Sequence, residues 1–434
     1  MRLRQCLIWF ICFIYVITTV ILYKMHLYKS FFATDKHSFP KIKFKETEST
    51  NIASYEAHLL KRGFTDKQIQ NMSLLGKWML APEGSPSPIN DPKKNYLILI
   101  WKYGNYLANR HIKRFSNKTY SPWENCSVQN CMLSYEDKDL HRAHAVVFHI
   151  QFLSHASNMP LRNRIDQRWI MLMDESPMYL LSSSQKTSDY DGLFNWTMTY
   201  RMNSDVPVPY GRTIKKTLES FQYHSQISKP SWKTNVMSSK IKLLVVMISH
   251  CSGKNRRVSY IKKLKSLLQD HLDVIGHCMN GNSTVCPRHF TKDCSILSSY
   301  KFYLSFENSN CREYITEKVF WNAFHNYAVP IIMGAPLEDC QRLLPPGSYL
   351  HVDNFHNAKA LAEYLRYLDR DDKRYLKYHE WRVNYTILNE HGYFGSASKH
   401  YCRVCEALNY NSNATKVYEK LDDFWNKERD CIST

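Results

Sequence analysis

Residues 307–318 bring together side chains that suit a bound phosphate and its nucleoside. The stretch follows an alternating apolar strand, and Thr316-Glu317-Lys318 opens a helical run. Thr316 has the residue type of an N-cap, a helix N-terminus attracts phosphate, and Lys318 adds a full positive charge one turn inside. Glu317 can accept hydrogen bonds from a ribose diol, and Tyr314 offers an aromatic face to a base. The pattern therefore suits a nucleotide-sugar, although an ordinary βαβ unit with a capped helix explains it equally well.

A second basic loop, residues 249–257 (SHCSGKNRR), lies between the apolar run 242–248 and an amphipathic helix. A strand, a short basic loop and a helix again form the geometry of an anion site. Arg257 stands where this loop enters the helix, with His250 and Lys254 earlier in the loop. A basic surface loop without a ligand is the alternative interpretation.

A carboxylate is placed at the end of a third apolar run, where general-base chemistry is often found. Glu175 follows the predicted strand 169–173 and precedes Pro177. A carboxylate at the carboxyl end of a strand can face a cleft and act as a general base. From residue types alone, a solvated acid at the strand end is the preferred interpretation. Asp174 is the neighbour most easily confused with it.

The elements that must position these residues alternate between apolar strands and helical stretches, which predicts an α/β fold with parallel sheets. The predicted strands are 97–101, 143–148, 169–173, a segment around Met198, 242–248, 302–306 and 328–333. The stretch 300–334 reads as strand, loop, helix and strand, a βαβ unit whose polar groups gather at the carboxyl end of its first strand. Ligands bind at that end of parallel sheets.

The 434 residues are long enough for two domains behind an N-terminal anchor. We predict a cytoplasmic tail at 1–6, a transmembrane helix at 7–23, a stem at 24–92, one α/β domain at 93–230, a second at 241–405 and a C-terminal tail at 406–434. The apolar run 7–23 is near the lower limit for a spanning helix. A cleaved signal peptide is the rival interpretation, but no small-x-small site closely follows the run. Some helical periodicity in 53–80 suggests that this part of the stem folds back on the catalytic part.

Sequons and cysteines both favour an oxidising, lumenal compartment. The candidate glycosylation sites are Asn71, Asn117, Asn125, Asn282, Asn384 and Asn413. Cys402 and Cys405 form a CxxC, for which disulfides are preferred over a zinc half-site because no second Cys or His pair accompanies it. Cys126 and Cys131 are close enough in sequence to pair with each other. Eleven cysteines lie beyond the anchor, so at least one is unpaired or intermolecular.

The net charge of +19 calls for an anionic partner or surface. Nucleic acid is disfavoured because the basic residues are spread along the chain and no nucleic-acid motif is present. A phosphate-bearing donor needs only a few of these charges.

Residues 300–334 resemble the signature of the α1,3-fucosyltransferases, glycosyltransferase family 10, whose pattern is FxLxFENSxxxDYxTEKxxxNAxxxxxVPVxxG. The matching residues are Phe302, Leu304, Phe306-Glu307-Asn308-Ser309, Tyr314, Thr316-Glu317-Lys318, Asn322-Ala323, Val329-Pro330 and Gly334. Residues 194–211 likewise resemble the family segment FNxTxTYRxxSDxxVPYG. Asn195 lies inside that segment, so its sequon is predicted to be a buried structural triplet.

The resemblance implies a GT-B type fold, with two Rossmann-like domains facing across a cleft, an acceptor side first and a donor side second. It implies GDP-β-L-fucose as donor and an α1,3 linkage formed with inversion. The triplet Glu175-Ser176-Pro177 matches the position of the family's general base, and Arg257 falls on the arginine that contacts the donor phosphates. Glu317 and Tyr314 would hold the nucleoside, and Asn308 would shape the loop.

Three residues depart from the family pattern. Glu313 stands where Asp is usual, His250 replaces an Asn and Lys254 replaces an Arg. Because an ammonium does not reproduce the planar fork of a guanidinium, Lys254 puts donor affinity in doubt, and His250 can titrate near lumenal pH. These departures keep open a glycan-binding pseudoenzyme as a second class of function.

We expect the protein to lie in the Golgi membrane, as a single-pass type II protein with a lumenal catalytic part. The sequence does not distinguish a monomer from a homodimer. The loop SHCSGKNRR leans toward enzymes that modify the core GlcNAc of N-glycans, and a Lewis-type or LacdiNAc acceptor is the alternative. No acidic pair at a strand end calls for an essential metal, so Mn²⁺ or Mg²⁺ would at most stimulate the reaction.

Overall fold

The computed structural model describes residues 48–88, 94–112, 121–153, 155–162, 164–179, 186–217, 236–237, 239–286, 293–393 and 396–432. The predicted tail and anchor at 1–23 and the sequon at Asn117 lie outside these residues. Within the described ranges, no helix combines the length and the apolar character needed to cross a membrane.

Two parallel sheets form the centre of the fold, as the α/β alternation predicts. The first has the strand order β2-β1-β3-β4-β5-β6. Its strands are β1 Tyr96–Ile100, β2 Cys131–Ser134, β3 Ala145–His149, β4 Arg168–Met173, β5 Trp196–Thr199 and β6 Val206–Pro207. Its central strands are buried on both faces, which explains their nearly continuous apolar sequences. The short strands β2 and β6 carry no such run and were not predicted.

The second sheet has the order β13-β12-β10-β8-β9 and is also parallel. Its strands are β8 Lys242–Met247, β9 Leu272–Ile275, β10 Tyr300–Phe306, β12 Val329–Met333 and β13 Leu350–His351. Antiparallel pairs complete the strands: β7 Gly211–Lys215 with β14 Tyr385–Asn389, and β11 Asn310–Cys311 with β15 Cys431–Ile432.

The helices of the described residues cover both sheets. They are α1 Glu48–Lys61, α2 Asp66–Gln70, α3 Leu74–Met79, α4 Gly104–His111, α5 Arg257–Leu268, α6 Lys318–His325, α7 Leu337–Leu343, α8 Ala358–Asp369, α9 Asp372–Lys377, α10 His400–Tyr410 and α11 Lys427–Asp430. Short 3-10 turns lie between them. Helix α6 has π-type hydrogen bonding and begins after Glu317, one residue later than predicted. The Thr316 hydroxyl still accepts a hydrogen bond from the N–H of Lys318 at 3.4 Å.

Alternate residues of the first sheet face two different cores. Ile98 and Ile100 pack with α1–α3 and α10, whereas Leu99 packs on the opposite face with residues of α6 such as Phe320 and Phe324. Helix α6 therefore shares one apolar cluster with the first sheet while it contacts β10 and β12 of the second. Helices α5 and α8 cover the other face of the second sheet.

Three predicted boundaries need correction. Helices α1–α3 pack into the core, so the predicted stem at 24–92 overlaps the compact unit from residue 48 onward. Residues 212–215 lie in strand β7, although the polar composition of 212–240 predicts a linker between the domains. The predicted tail at 406–434 is packed as well: α10 contacts the first sheet, and the Trp425 side chain is fully buried. The packing of 53–80 agrees with the fold-back that its periodicity suggests. The other two segments were misjudged because their burial depends on partners distant in sequence.

Two disulfides join helix α10 to the segment around strand β2. Cys126 pairs with Cys402 and Cys131 with Cys405, so the two closely spaced cysteines near β2 bond to the CxxC of α10 instead of to each other. The further pairs are Cys251–Cys278, Cys286–Cys294 and Cys311–Cys431. Cys340 is buried and unpaired, which accounts for the odd count beyond the anchor.

We expect Gly211→Ala to lower the free energy of unfolding by about 1–3 kcal/mol. Gly211 opens β7 against helix α6, and a Cβ at this position would lie 2.4 Å from Cγ of Phe320. Urea unfolding of wild type and variant measures the loss. In a Phe320→Ala background, which removes Cγ and the ring, the same substitution should cost less, and an equal cost in both backgrounds would contradict the assigned contact.

Candidate active site

Glu175 lies just beyond the carboxyl end of β4, where the two sheets meet. Its Oε2 accepts a hydrogen bond from Nδ2 of Asn308 at 3.2 Å and from the hydroxyl of Tyr314 at 2.9 Å. Both donors follow β10 of the second sheet, and the Glu175 side chain is half-buried. The structure therefore joins the candidate base on one sheet to the polar loop on the other.

Further contacts fix the same junction. The hydroxyls of Ser176 and Ser309 are 2.7 Å apart and buried, and the Tyr179 hydroxyl donates to the carbonyl of Asn308 at 3.4 Å. These contacts run between the loop after β4 and the loop after β10, so the position of Glu175 is set from both sides.

Tyr314 does not present its ring to an open surface. The side chain is only 2% exposed, and its ring packs 4.9 Å from that of Tyr200 and 6.3 Å from that of Tyr210. Burial, reinforced by the nearby Glu175 carboxylate, raises its pKa well above the usual range. The predicted role of stacking on a base is therefore corrected: in this structure the Tyr314 hydroxyl donates a hydrogen bond that holds Glu175.

Asp174, the neighbour of the candidate base, points into the protein. Its carboxylate lies 2.7 Å from the guanidinium of Arg110 and 3.1 Å from Nε2 of His400. Burial opposes its ionisation, but Arg110 and His400 outweigh this and hold its pKa well below the usual range. The Tyr210 hydroxyl also donates to its backbone carbonyl at 3.0 Å. Asp174 is thus a buried anchor one residue before Glu175, which distinguishes the two acids.

Within the described part of the chain, the groups of metal-ligand type that approach one another are His111, Asp174 and His400, all buried. The Asp174 carboxylate is already paired with Arg110, and a second cation beside that guanidinium would be repelled. This cluster therefore fits an ion-paired anchor better than a divalent metal site.

Glu307 organises the loop between β10 and α6. Its side chain is 1% exposed, and its carboxylate accepts hydrogen bonds from the backbone and hydroxyl of Thr316 at 3.0 and 2.8 Å. The Lys318 ammonium donates to the same carboxylate at 2.8 Å, to Thr316 at 2.9 Å and to Glu317 at 3.2 Å. Burial disfavours the ammonium, but Glu307 and Glu317 outweigh it and raise the pKa of Lys318, so this lysine stays charged.

Because Gly334 has no side chain, Glu307 can occupy the space beside it. Its φ is +149°, and a Cβ at this position would lie 2.7 Å from Cγ of Glu307. A glycine at the end of β12 is therefore part of how the second sheet holds its buried carboxylate.

The basic loop 249–257 lies against the same region. The Arg257 side chain is buried and donates to the carbonyls of Phe306 at 3.2 Å and His250 at 2.9 Å. The backbone N–H of Lys254 donates to the carbonyl of Asn308 at 2.8 Å, while the side chains of His250 and Lys254 are exposed. Arg257, Lys254 and Asn308 are thus brought together at the carboxyl ends of β8 and β10.

Sequence reasoning did not assign a role to two groups in this arrangement. Asn255 donates through Nδ2 to the carbonyl of Glu307 at 3.1 Å and to Oδ1 of Asn310 at 2.8 Å, which fastens the basic loop to the loop after β10. Tyr210 stacks on His391 at 3.9 Å and supports the backbone before Glu175. The asparagine lies inside the motif SHCSGKNRR, but residue type alone does not tell a fastening amide from a ligand-binding one.

Glu313 is buried beneath the site at a φ of +56°. Its Oε2 accepts a hydrogen bond from the backbone N–H of Met202 at 2.7 Å, and its own N–H donates to Asp339 at 2.7 Å. The side chain of Glu313, which departs from the family pattern, therefore makes its contacts inside the protein and not at the surface of the site.

The predicted sequon at Asn195 is buried, and its side chain bonds Trp169 N–H at 2.9 Å and the Lys416 carbonyl at 2.8 Å. The remaining described sequon asparagines are exposed, namely Asn71, Asn125, Asn282, Asn384 and Asn413.

Buried parallel strands with basic, amide-rich loops at their carboxyl ends form the edge at which open α/β sheets bind ligands. Family models match in both halves: "Fucosyltransferase, N-terminal" covers residues 93–211, and "Glycosyltransferase family 10 (fucosyltransferase) C-term" covers residues 237–425. The chain therefore belongs to glycosyltransferase family 10 and is a fucosyltransferase.

Curated relatives agree with this assignment. The chain is 34% identical over 348 residues to 4-galactosyl-N-acetylglucosaminide 3-alpha-L-fucosyltransferase FUT5 of Gorilla gorilla gorilla, covering 78% of this chain and 83% of that protein. It is 36% identical over 244 residues to Glycoprotein 3-alpha-L-fucosyltransferase A of Drosophila melanogaster, covering 55% of this chain but only 44% of that protein. A crystal structure of an alpha1,3-fucosyltransferase with GDP-fucose aligns at 14% identity and a TM-score of 0.45, over 80% of this chain and 98% of that one.

We expect the free energy of unfolding to fall as pH drops from about 6.5 toward 3. Burial lowers the pKa of His149 and of His391 to about 3. In that window the unfolded chain binds protons at these histidines and the folded chain does not. Each histidine therefore lowers the free energy of unfolding by up to about 1.4 kcal/mol per pH unit.

The measurement is urea unfolding at pH 7, 6 and 5. His149→Leu removes one of the two groups and should flatten the pH dependence, whereas His271→Leu, at an exposed position, should leave it unchanged. The same slope for wild type and His149→Leu would refute the assignment.

Proposed function

We propose that this enzyme transfers L-fucose from GDP-β-L-fucose, in α1,3 linkage and with inversion, to N-acetylglucosamine of glycoprotein glycans. The observation that carries the proposal is the junction at Glu175, whose carboxylate is held by Asn308 and Tyr314 at the edge of the basic loops. A general base on one sheet thereby borders a cationic donor site on the other. Both curated relatives described above are named as 3-alpha-L-fucosyltransferases.

In this proposal the two sheets are the cores of a GT-B arrangement. The first sheet and its loops carry the acceptor, and the second carries the donor. The predicted domains at 93–230 and 241–405 correspond to these two roles, with α10 returning from the second half to cover the first sheet.

The base would act in a single displacement. Glu175 takes the proton from the acceptor hydroxyl as that oxygen attacks the anomeric carbon. The hydrogen bonds from Asn308 and Tyr314 fix the direction of the Glu175 carboxylate. General-base catalysis of this kind typically contributes about 10²–10⁴-fold in rate.

Negative charge on the departing GDP would be stabilised by Arg257 and Lys318, each contact worth about 3 kcal/mol in a preorganised site. Lys318 already makes three hydrogen bonds, of which the contact to Glu317 is the longest at 3.2 Å. We propose that the donor exchanges this contact: the ammonium turns to a phosphate oxygen, and Glu317 is released to the ribose diol. Glu307 keeps the lysine charged during the exchange.

The remaining donor contacts are proposed for the exposed side chains of the basic loop, His250 and Lys254, and for Asn308 at the loop edge. A divalent cation such as Mn²⁺ or Mg²⁺ would stimulate by screening the diphosphate in solution, without a dedicated site. The expected setting is the Golgi lumen, behind a single membrane anchor.

For the acceptor we propose the core GlcNAc of N-glycans, on the strength of the SHCSGKNRR loop and the likeness to the Drosophila glycoprotein enzyme. The gorilla relative's name specifies a galactosyl-N-acetylglucosaminide, which makes a terminal Lewis-type or LacdiNAc acceptor the second candidate.

The deciding experiment measures GDP release from GDP-fucose by the full chain in detergent, with a core N-glycan glycopeptide and a terminal LacNAc or LacdiNAc acceptor offered in parallel. Mass spectrometry of the product gives the linkage. GDP release with the core acceptor alone would support the proposed acceptor. GDP release with the terminal acceptor alone would favour the second candidate acceptor. Folded protein that binds GDP but releases none with either acceptor would favour a glycan-binding pseudoenzyme.

We expect Glu175→Gln to reduce transfer by at least about 10²-fold while GDP still binds, because the amide keeps the shape but takes no proton. Lys318→Ala should lower both turnover and GDP affinity, since it removes a phosphate contact. Isothermal titration with GDP separates the two effects. Near-normal turnover in either variant would contradict its assigned role, and loss of GDP binding in Glu175→Gln would point to misfolding.

A further inference from the structure

Three aromatic side chains form an exposed patch at the carboxyl edge of the first sheet. Tyr103 and Tyr106 are 47% and 51% exposed, and both rings contact Phe152, with centroids 5.5 and 5.0 Å apart. Tyr103 follows β1, Tyr106 lies on α4, and Phe152 follows β3. We call these three residues the aromatic patch.

The backbone beneath the patch is held in an unusual conformation. Lys102 and Tyr103 have φ values of +45° and +50°, a region that residues with side chains rarely adopt, and here two in succession do so. Gly104 follows with its α-carbon so close to Tyr135 that a Cβ would lie 2.6 Å from that ring. Such strain costs free energy and is characteristic of ligand-binding segments. The turn directs the chain from β1 into α4 and places Tyr103 at the surface.

The patch is connected through His149 to the residue that precedes the candidate base. The ring of Phe152 lies 4.3 Å from that of His149, and Nε2 of His149 is 4.0 Å from the carboxylate of Asp174, the residue before Glu175. Next to Phe152, Gln151 donates through Nε2 to the carbonyl of Tyr179, in the loop that follows Glu175, at 3.4 Å. The patch is therefore formed by loops of the first sheet, the sheet that also carries Glu175.

We infer that the aromatic patch is a sugar-binding subsite for the acceptor, and that it takes a pyranose ring adjacent to the N-acetylglucosamine that receives fucose. This inference rests on the proposed function, because it uses Glu175 to define where the reacting sugar lies. The chemistry fits an oligosaccharide: the C–H face of a pyranose packs on an aromatic ring, while the tyrosine hydroxyls and the Gln151 amide can bond to sugar hydroxyls. Tyr106 and Phe152, in edge-to-face contact, leave the exposed tyrosine surface for the ligand.

The subsite would act on acceptor affinity and not on the chemical step. A flanking sugar is bound equally in the ground state and in the transition state, so its loss raises KM and leaves kcat nearly unchanged. A patch that only supported the fold would instead change turnover, donor KM and thermal stability together.

The test uses the full chain with GDP-fucose and the two oligosaccharide acceptors, a core N-glycan glycopeptide and LacNAc. For Tyr106→Ala we expect acceptor KM to rise about tenfold, corresponding to 1.4 kcal/mol, with kcat and the KM for GDP-fucose within about twofold of wild type. Tyr106→Phe, which keeps the ring, should stay within about threefold. The matched control is Tyr367→Ala, an equally exposed tyrosine at 47% on α8 of the other sheet, which should change neither KM.

Unchanged acceptor KM in both Tyr106→Ala and the double variant Tyr103→Ala/Tyr106→Ala would overturn the inference. So would an effect seen with the intact glycoprotein but not with the free oligosaccharide, since that would assign the patch to a protein partner.

If the wild-type chain transfers no fucose, the proposed function fails, and binding decides the subsite separately. Titration of the GDP-loaded chain with each oligosaccharide should then show binding that Tyr106→Ala weakens about tenfold. No binding by the wild-type chain would refute the subsite as well.

Discussion

The hydrogen bonds that Glu175 accepts from Asn308 and Tyr314 are the constraint on which the site depends, because they are made across two sheets. A carboxylate attached only to the first sheet would follow the movements of that sheet. Here its direction is fixed by two donors from the second, and the Ser176–Ser309 contact closes the same junction. The distance between Glu175 and the loop after β10 is thereby set by side-chain packing; if Glu175 is the proposed base, these contacts also fix its distance from the proposed donor site. Misplacement of catalytic groups by about 1 Å can cost about 10²-fold in rate, so such cross-bracing has a direct catalytic value.

Two groups of buried charged side chains lie next to this junction, and they differ in what they hold. On the first sheet, Asp174 is neutralised by Arg110 and His400 and holds the backbone before the base. On the second, Glu307 keeps Lys318 charged at the edge of the site. The first system is closed, with its cation and its anion both buried. The second is open on one side, since the lysine also contacts the half-buried Glu317, and that side is where a phosphate can compete.

The sequence predicts the architecture well because the signals are local. Apolar runs marked the long strands of both sheets, and motif spacing brought Glu175, Asn308, Arg257 and Lys318 to one edge. What it missed depends on distant contacts. The fold-back of α1–α3 was expected from the periodicity of 53–80, but helix α10 was not, because it buries polar side chains such as Arg403 and Glu406 together with its apolar ones. Tyr314 was assigned an exposed ring because residue type does not reveal burial; only packing against Tyr200 and Tyr210 shows that its hydroxyl is the functional group.

The covering of the first sheet by α10 bears on how the protein is made. The cysteines of this helix join partners 276 and 274 residues earlier in the chain, and His400 reaches back to Asp174. The first sheet is synthesised early, yet one of its apolar faces has no complete cover until the C-terminal residues emerge. Contacts of such large sequence separation form slowly, and exposed apolar surface in the interval favours association with chaperones or with other chains. The cover of the first sheet is therefore completed only after residues 400–410 have been synthesised.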